Sequence, residues 1–134
     1  MDPSEFVLVD TCIWIPFFNR PDSPEKRAVD DLLDEDRAAL IGPVVTEILQ
    51  GFRRDAHADW VASNLHGLRY VDLSWRDWTE AAKTGRRLAA NGRRLPLADL
   101  LLAAVALRTG CSIFSTDPHF DIIPGLSRFR PVNR

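Results

Sequence analysis

Four acidic residues occur at positions in this sequence that solvent exposure alone does not explain. Asp10 and Asp117 each follow a short apolar run with the pattern of a buried strand, and a threonine stands next to each of them. Asp99 lies within residues 97–107, which are apolar on nearly every side, and Glu47 comes one turn into a helical pattern. Functional groups collect at the carboxyl ends of the strands in an open α/β sheet. A first strand that ends in Asp10 therefore delivers an acid to the place where such folds carry out their chemistry.

Each acid also has a simpler explanation. Asp is a favoured N-cap, so Asp10 could simply start the helix that follows it. Asp99 comes three residues after Pro96, where the dipole of its own helix favours an anion. A helix that is apolar all round is buried, however, and a buried unpaired carboxylate becomes protonated or finds a partner. Asp99 therefore caps its helix, or faces a crevice and binds a cation, or does both.

Strand and helix patterns alternate along the rest of the chain. Strands are predicted at residues 6–9, 38–41, 68–73 and 112–115, with a short edge strand around residues 128–130. Helices are predicted to begin at Pro24 and at Gly42, to cover residues 56–65, and to cover residues 74–92 and 97–108. Residues 19–24 are predicted to form a loop. This alternation indicates an α/β fold, with helices on both faces of a central, mainly parallel sheet of four to five strands.

The composition narrows the class of protein. At 134 residues the chain is expected to form a single domain over residues 1–134, and its 46% apolar and 27% charged content is typical of a soluble globular protein. No apolar run reaches the length of a membrane span and the start of the chain has no secretory pattern, so we expect a cytoplasmic protein. The net charge of −2 argues against a globally basic nucleic-acid binder but not against a local basic rim. Cys12 and Cys111 are expected to be buried, unpaired thiols.

The acids fall in stretches that resemble the PIN-domain ribonucleases, and most closely the VapC toxins of bacterial toxin–antitoxin pairs. The stretches are Val9-Asp10-Thr11, Thr46-Glu47, residues 97–104 and residues 115–120. They occur in the family's order and spacing, and the resemblance spans residues 6 to about 130. It implies a three-layer α/β/α PIN-like fold and a metal-dependent endoribonuclease toxin. The implied substrate is tRNA or another structured RNA with exposed loops, whose bases and backbone are more accessible than those of a duplex.

The resemblance also implies a metal site. The metal would be held by an acidic quartet, namely Asp10, Glu47, Asp99 and Asp117. Four carboxylates brought together would repel one another and take up protons unless a cation neutralised them, and oxygen ligands select Mg²⁺, for which Mn²⁺ can substitute. Asp10 and Asp99 would be direct ligands, and Glu47 would act through a water molecule, which it could help to activate. Thr11 and Thr116 would orient the carboxylates by hydrogen bonds.

The sequence departs from the family pattern at His119. Family members often carry a second acid two residues after the acid that matches Asp117, so the histidine leaves open the number of metal ions and the ligands of any second ion. His119 itself could bind a metal, contact the substrate or be exposed. Asp121 lies close enough in the sequence to substitute for the missing acid.

Partners follow from the same resemblance. VapC-like proteins form homodimers and are held inactive by a cognate VapB-type antitoxin, so we expect both partners in addition to the RNA substrate. By composition, the apolar segment at residues 13–18, which contains Trp14, is more often core than interface. It is nevertheless long for so small a domain, and exposed apolar patches mark partner sites. We therefore predict an antitoxin groove lined by six apolar residues, namely Trp14, Phe17, Phe18, Ile48, Leu49 and Phe52.

Three other functions fit parts of the pattern. A phosphoacceptor signalling domain would need paired acids at the first strand and a lysine at a strand end, and neither is found. A haloacid-dehalogenase-type phosphatase would need an acid where Cys12 stands. The remaining alternative is a catalytically silent PIN-like module that only binds protein or RNA, and His119 favours it.

Overall fold

The computed structural model describes residues 2–19 and 22–132, and within them the chain forms one sheet covered by helices. The strands are β1 (Val7–Val9), β2 (Ala38–Leu40), β3 (Arg69–Tyr70) and β4 (Ser112–Phe114). The α-helices are α1 (Thr11–Asn19), α2 (Pro24–Asp34), α3 (Gly42–Gln50), α4 (Asp55–Leu65), α5 (Trp75–Ala90) and α6 (Leu97–Thr109). Two short 3-10 helices cover Pro3–Glu5 and Pro118–Ile122.

The sheet is parallel throughout, with the strand order β3-β2-β1-β4. Helices cover both of its faces, so the predicted three-layer α/β/α fold is confirmed. Across the described residues, no helix combines the length and the apolar character needed to cross a membrane.

The central strand β1 carries Asp10 to the middle of the sheet's carboxyl edge. All three residues of β1 are fully buried, and the strand pairs with β2 on one side and with β4 on the other. Val9 lies opposite Phe114, and the amide of Asp10 donates a hydrogen bond to the Phe114 carbonyl at 2.9 Å. This register places the residues that follow β1 beside the residues that follow β4.

Helix α6 is apolar on nearly every side because it packs against α5, α3 and β4. Residues 101–106 are all buried. A Cβ atom added to Gly85 of α5 would lie only 3.2 Å from Leu100 Cδ1, so the glycine permits a close approach of the two helices. The helix ends at Gly110, whose φ of 81° is a left-handed conformation that favours glycine. Asp99, in the first turn of α6, is therefore held by a rigid, buried helix.

Helix ends follow the capping patterns in the sequence. Ser23 caps α2, with Pro24 as the first helical residue. Ser74 and Asp77 form the predicted capping box of α5, in which each side chain accepts a hydrogen bond from the other residue's backbone amide. At the other end of α5, Gly92 has a φ of 74° and is the first residue past the C-cap. These predictions are confirmed.

A buried ion pair joins the start of α5 to the end of α6. The Asp77 side chain is 1% exposed, and the Nε and Nη2 atoms of Arg108 each donate to one of its oxygens at 2.8 Å. Burial alone would raise the pKa of Asp77, but the hydrogen bonds from Arg108 and Ser74 outweigh it, so the pKa lies below its ordinary value. The stability that this lowered pKa provides is therefore complete above the ordinary value of 3.8 and is lost as the pH falls through the folded-state value.

We expect Arg108→Met to lower the free energy of unfolding by about 2–3 kcal/mol at neutral pH, because it leaves the buried Asp77 charge unpaired. The loss of stability relative to wild type should shrink as the pH falls below 3.8 towards the lowered pKa of Asp77 in the folded wild type, where the carboxylate becomes protonated. Urea unfolding between pH 3 and pH 7 measures both effects. Arg27→Met is the control, because it breaks an exposed ion pair with Asp22. A loss of stability in Arg108→Met that does not change with pH, or an equal loss in Arg27→Met, would contradict a stabilising role for the Asp77–Arg108 ion pair.

Two predicted strands differ from the structure. Strand β3 covers only Arg69–Tyr70, because it lies at the sheet's edge and the chain soon enters the capped start of α5. The predicted strand at residues 128–130 is wrong. A single parallel bridge joins Arg128 to Ile113, and Pro131, which has no N–H, cannot extend the pairing. Residues 20–21 of the predicted loop and residues 133–134 of the tail lie outside the described residues.

The apolar segment after Asp10 is helix α1, and its largest side chain lies in the core. Trp14 is 1% exposed, and its Nε1 donates to the Val9 carbonyl at 3.0 Å. Ile48 of α3 is equally buried. The prediction that these two residues line a groove is therefore wrong, because an indole whose N–H is bonded to the backbone packs as a core residue. The other four predicted residues are half-buried and pack against this core, namely Phe17, Phe18, Leu49 and Phe52.

Candidate metal centre

Three of the predicted acids come from the ends of separate elements. Asp10 follows β1, Asp99 lies in the first turn of α6, and Asp117 is the N-cap of the short helix Pro118–Ile122 that follows β4. Asp10 is 4% exposed and Asp99 is 7% exposed, so neither carboxylate is well solvated. Their charges therefore depend on the protein groups around them.

His119 joins two of these acids. Its Nδ1 lies 3.3 Å from Asp99 Oδ2 and 3.1 Å from Asp117 Oδ1. One ligand atom from each of the three residues lies within 4.8 Å of the other two. The Asp117 carboxylate also accepts the His119 amide at 2.9 Å, which fixes the start of the short helix. The imidazole thus contacts both acids, and the ring remains reachable from solvent because 42% of its side chain is exposed.

Ser115 connects Asp10 to the loop that carries Asp117. The buried Ser115 hydroxyl donates to Asp10 Oδ2 at 2.8 Å and accepts the Asp117 amide at 3.0 Å. The sequence led us to expect this orienting role for Thr116. Thr116 is instead exposed, and its Oγ1 lies 3.6 Å from Cys12 Sγ. The β1–β4 register explains the difference, because Ser115 follows Phe114 directly, just as Asp10 follows the opposite residue of β1.

Thr11 links Glu47 to the end of β1. The Thr11 hydroxyl donates to Glu47 Oε1 at 2.7 Å, and the Thr11 amide donates to Asp10 Oδ1 at 2.7 Å. Glu47 therefore contacts the end of β1 from α3 through Thr11. Neither Glu47 nor Asp10 belongs to the compact group of ligand atoms that Asp99, Asp117 and His119 form. Thr11 thus contacts two of the predicted acids, and the roles predicted for Thr11 and Glu47 stay predictions.

Comparison with known families identifies the class of this protein. The chain matches the family model described as PIN domain over residues 7–126, a region that contains all four predicted acids. The chain belongs to the PIN-domain family. The family predicted from the sequence is thereby confirmed.

Individual PIN-domain proteins are similar over nearly the whole chain. VapC ribonuclease Mb1587 of Mycobacterium bovis and Ribonuclease VapC11 of Mycobacterium tuberculosis are each 29% identical over 131 residues, which cover 95% of this chain and 98% of theirs. The structure resembles VapBC2 from Rickettsia felis bound to a promoter DNA fragment, with a TM-score of 0.78, 18% identity, and coverage of 92% of this chain and 97% of that chain. It also resembles Mycobacterium tuberculosis VapC20, described as a sarcin–ricin loop cleaving toxin. The TM-score is 0.71 at 18% identity, and the match covers 93% of this chain and 99% of that chain.

Burial and mutual repulsion leave the acids of this PIN domain in need of a positive charge. The pKa of Asp99 is raised to about 6, first by burial and then by the negative charge of Asp10, with Asp117 adding a smaller effect. The hydrogen bond from His119 opposes this rise. Among the described residues, the Asp99 and Asp117 side chains both contact the His119 imidazole, and neither forms an ion pair with lysine or arginine. This set of donor atoms fits a divalent cation, which would favour the ionised carboxylates.

Arg128 fixes the loop of the PIN domain that carries Asp117. Its Nη2 donates to the Ser115 carbonyl at 2.7 Å, with a longer contact of 3.4 Å to the Asp117 carbonyl, and its Nη1 pairs with Asp121 at 2.7 Å. The arginine side chain is only 12% exposed and lies over the Phe120 ring. Asp121, which could have replaced the missing family acid, is thus engaged by Arg128 instead of joining His119.

We expect Arg128→Met to lower the rate of RNA cleavage by about 10–100-fold, because small displacements of positioned groups are costly. Asp117 would keep its carboxylate but lose the bonds that hold its loop. Steady-state cleavage kinetics and Mn²⁺ affinity, both measured on folded protein, test this expectation. Arg76→Met, at an exposed position of α5, is the control. Unchanged cleavage in the Arg128 variant would exclude a positioning role.

Cys12 borders the site. Its side chain is exposed, and its Sγ lies 3.4 Å from Asp10 Oδ2 and 3.3 Å from Ser115 Oγ. The prediction that both thiols are unpaired is therefore confirmed, whereas the prediction of burial is confirmed for Cys111 and wrong for Cys12. The difference arises because the first turn of α1 packs Ile13 and Trp14 inward, which leaves Cys12 on its outer side.

Proposed function

We propose that this PIN domain is a VapC-type endoribonuclease that hydrolyses RNA phosphodiester bonds with a divalent metal ion, Mg²⁺ or Mn²⁺. The proposal depends chiefly on one observation, which is that Asp99, Asp117 and His119 meet within 4.8 Å in a site that also includes the buried Asp10. The similarity to two proteins named VapC ribonucleases, over nearly the full length of each, supports the same activity here.

Asp99 and Asp117 are the residues that would hold the metal, with Asp10 as a further carboxylate. Carboxylate oxygens are the ligands that Mg²⁺ and Mn²⁺ prefer. When bound, such an ion lowers the pKa of a coordinated water and offsets the charge that develops on the phosphate and the leaving oxygen.

The protein's own residues hold the reacting groups in place. The Thr11 amide and the Ser115 hydroxyl each engage a different oxygen of Asp10, which leaves that carboxylate with one orientation. The Thr11 hydroxyl holds Glu47 Oε1 at 2.7 Å. Glu47 would then accept a proton from the attacking water or orient it. Because these side chains are already ordered, they lose little conformational entropy when the reaction begins.

RNA with exposed loops is the proposed substrate class. A protein can reach the backbone and the bases of an unpaired loop, whereas an A-form duplex hides its base edges in a deep, narrow groove. Mycobacterium tuberculosis VapC20 is described as cleaving the sarcin–ricin loop. For this chain we propose cleavage of tRNA or of another structured RNA at such a loop.

A cognate VapB-type antitoxin and a second copy of the chain are the proposed protein partners. The Rickettsia felis structure is a VapBC complex, which supports an antitoxin partner for a chain of the same fold. The half-buried Phe17, Phe18, Leu49 and Phe52 retain the apolar character expected of an antitoxin groove. Binding of the antitoxin there would hold the toxin inactive.

Cleavage of bulk tRNA and ribosomal RNA by purified, chelator-treated protein tests the proposed function. We expect no products in the presence of chelator and discrete fragments after Mn²⁺ or Mg²⁺ is restored, with denaturing gels as the readout. A contaminating nuclease is excluded if the activity is lost in Asp99→Asn but kept in Asp72→Asn, which alters an exposed acid that follows β3. A folded protein that binds RNA but cleaves none with either ion would instead be the silent PIN-like module.

A further inference from the structure

His119 adds a nitrogen atom to a centre whose neighbouring donor atoms are carboxylate oxygens. We propose that His119 Nδ1 is a direct ligand of the ion held by Asp99 and Asp117, and that it makes the centre bind Mn²⁺ more tightly than Mg²⁺. This role rests on the proposed metal-dependent function and specifies which ion the site prefers. It also assigns a function to His119, the residue at which the chain departs from the common acidic pattern.

The distances around Nδ1 match those between ligands of one ion. Adjacent ligands of an octahedral ion with bonds of roughly 2.1 Å are about 3 Å apart. His119 Nδ1 lies 3.1 Å from Asp117 Oδ1 and 3.3 Å from Asp99 Oδ2. Charge-assisted hydrogen bonds between nitrogen and a carboxylate are shorter, at about 2.7–2.9 Å. The spacing is longer than that of a strong ion pair, and it suits both an ordinary hydrogen bond and two neighbouring ligands of one ion.

The chemistry of the ring nitrogen points the same way. In a neutral imidazole, each nitrogen either carries a proton or offers a lone pair. A lone pair on His119 Nδ1 would face two carboxylate oxygens and be repelled by both. A single proton placed there would be shared between two long contacts, whereas a divalent cation would attract the nitrogen and both oxygens at once.

The backbone holds the ring of His119 close to this position. Its amide donates to Asp117 Oδ1 at 2.9 Å, so one acid fixes the start of the short helix that carries the ring. The next residue, Phe120, is 1% exposed and anchors that helix in the core. On the opposite side, Asp99 belongs to the buried helix α6. The three donor groups are therefore ordered by the fold rather than by the ion.

Ion preference follows from the ligand types. Mg²⁺ is a hard cation that favours oxygen ligands and gives up its water reluctantly. Mn²⁺ also prefers oxygen ligands and is the weakest binder of the transition-metal series, but as a member of that series it accepts an imidazole nitrogen more readily than Mg²⁺ does. A histidine at the position of a carboxylate thus weakens Mg²⁺ binding more than Mn²⁺ binding.

Titration calorimetry on chelator-stripped protein, with MnCl₂ and separately with MgCl₂, measures the preference directly. We expect wild type to bind Mn²⁺ at least about tenfold more tightly than Mg²⁺, and His119→Asp to lose most of that difference. His66→Ala is the control, because His66 is exposed just beyond α4. Circular dichroism establishes whether each variant is folded.

Pulsed electron paramagnetic resonance of the Mn²⁺-loaded wild type gives a second readout that needs no variant. A nitrogen coupling is expected in wild type and in His66→Ala, and it should be absent in His119→Asp. Equal affinity for the two ions in wild type, a Mn²⁺ spectrum without nitrogen coupling, or an unchanged preference in folded His119→Asp would each overturn the assignment.

RNA cleavage is recorded separately on the same samples. Nitrogen-coupled Mn²⁺ in a protein that cleaves no RNA would support the His119 ligand and contradict the proposed function. RNA cleavage by a protein that lacks the coupling would support the function and overturn the role of His119.

Discussion

Replacement of Asp99 by asparagine is expected to abolish metal-dependent RNA cleavage while the protein stays folded. The new side chain would have nearly the same shape as the old one but no charge to hold a cation. Since a bound metal contributes several kcal/mol of transition-state stabilisation, its loss should reduce kcat by on the order of 10³-fold. The metal-free protein should be as stable as wild type or more stable. The reason is that the variant lacks the buried Asp99 carboxylate. Burial and then the negative charge of Asp10 raise the pKa of that carboxyl group to about 6 in wild type.

Thermal unfolding with and without Mn²⁺, combined with the cleavage assay, checks both parts of the Asp99 prediction. A ligand that binds only the folded state raises its Tm. We expect that rise in wild type and in the Asp72→Asn control, and not in Asp99→Asn. Near-normal cleavage by folded Asp99→Asn would contradict the assignment of this residue.

The same substitution at Asp10 is expected to abolish cleavage and, unlike the change at Asp99, to destabilise the metal-free protein. Asp10 is 4% exposed, with the Thr11 amide donating to one of its oxygens and the Ser115 hydroxyl to the other. An asparagine amide can accept at only one of these positions. If it keeps the Thr11 amide, its NH₂ group faces the Ser115 hydroxyl, which already accepts the Asp117 amide and would have to turn its own proton away. Leaving a buried donor unsatisfied costs about 1–3 kcal/mol.

Urea unfolding in the presence of chelator separates the two variants. Asp10→Asn should unfold at a lower urea concentration than wild type, whereas Asp99→Asn should not. Adding Ser115→Ala should cost less stability in Asp10→Asn than in wild type, because the hydrogen bond between positions 10 and 115 is already lost. Equal stability of Asp10→Asn and Asp99→Asn would show that this hydrogen bond does not order the site. Additive effects of Asp10→Asn and Ser115→Ala in the double variant would show the same.

The sequence predicts the fold well because the features that determine it are local. Apolar runs of strand length alternate with capped helices, and Ser23, Ser74, Gly92 and Gly110 mark helix ends where the structure has them. The predicted acids also follow from local features. An aspartate such as Asp99, in a helix that is otherwise apolar, needs a partner wherever the helix packs.

The features that the sequence did not predict depend on which elements become neighbours. Ser115 orients Asp10 only because β4 pairs with β1, and nothing in either segment alone specifies that pairing. Composition favours a core position for the segment around Trp14, but it does not indicate the hydrogen bond from the indole N–H to the Val9 carbonyl that fixes the ring there. The histidine at position 119 was open to three interpretations until the short helix placed its ring against two acids from different elements.

Anomalous diffraction from crystals of the Mn²⁺-loaded protein tests the central claim most directly. We predict a manganese peak within bonding distance of the Asp99 and Asp117 carboxylates and of His119 Nδ1, at the carboxyl edge of the sheet beside Asp10. No peak at that position, or a peak elsewhere on the molecule, would contradict the proposal that these side chains form a metal centre.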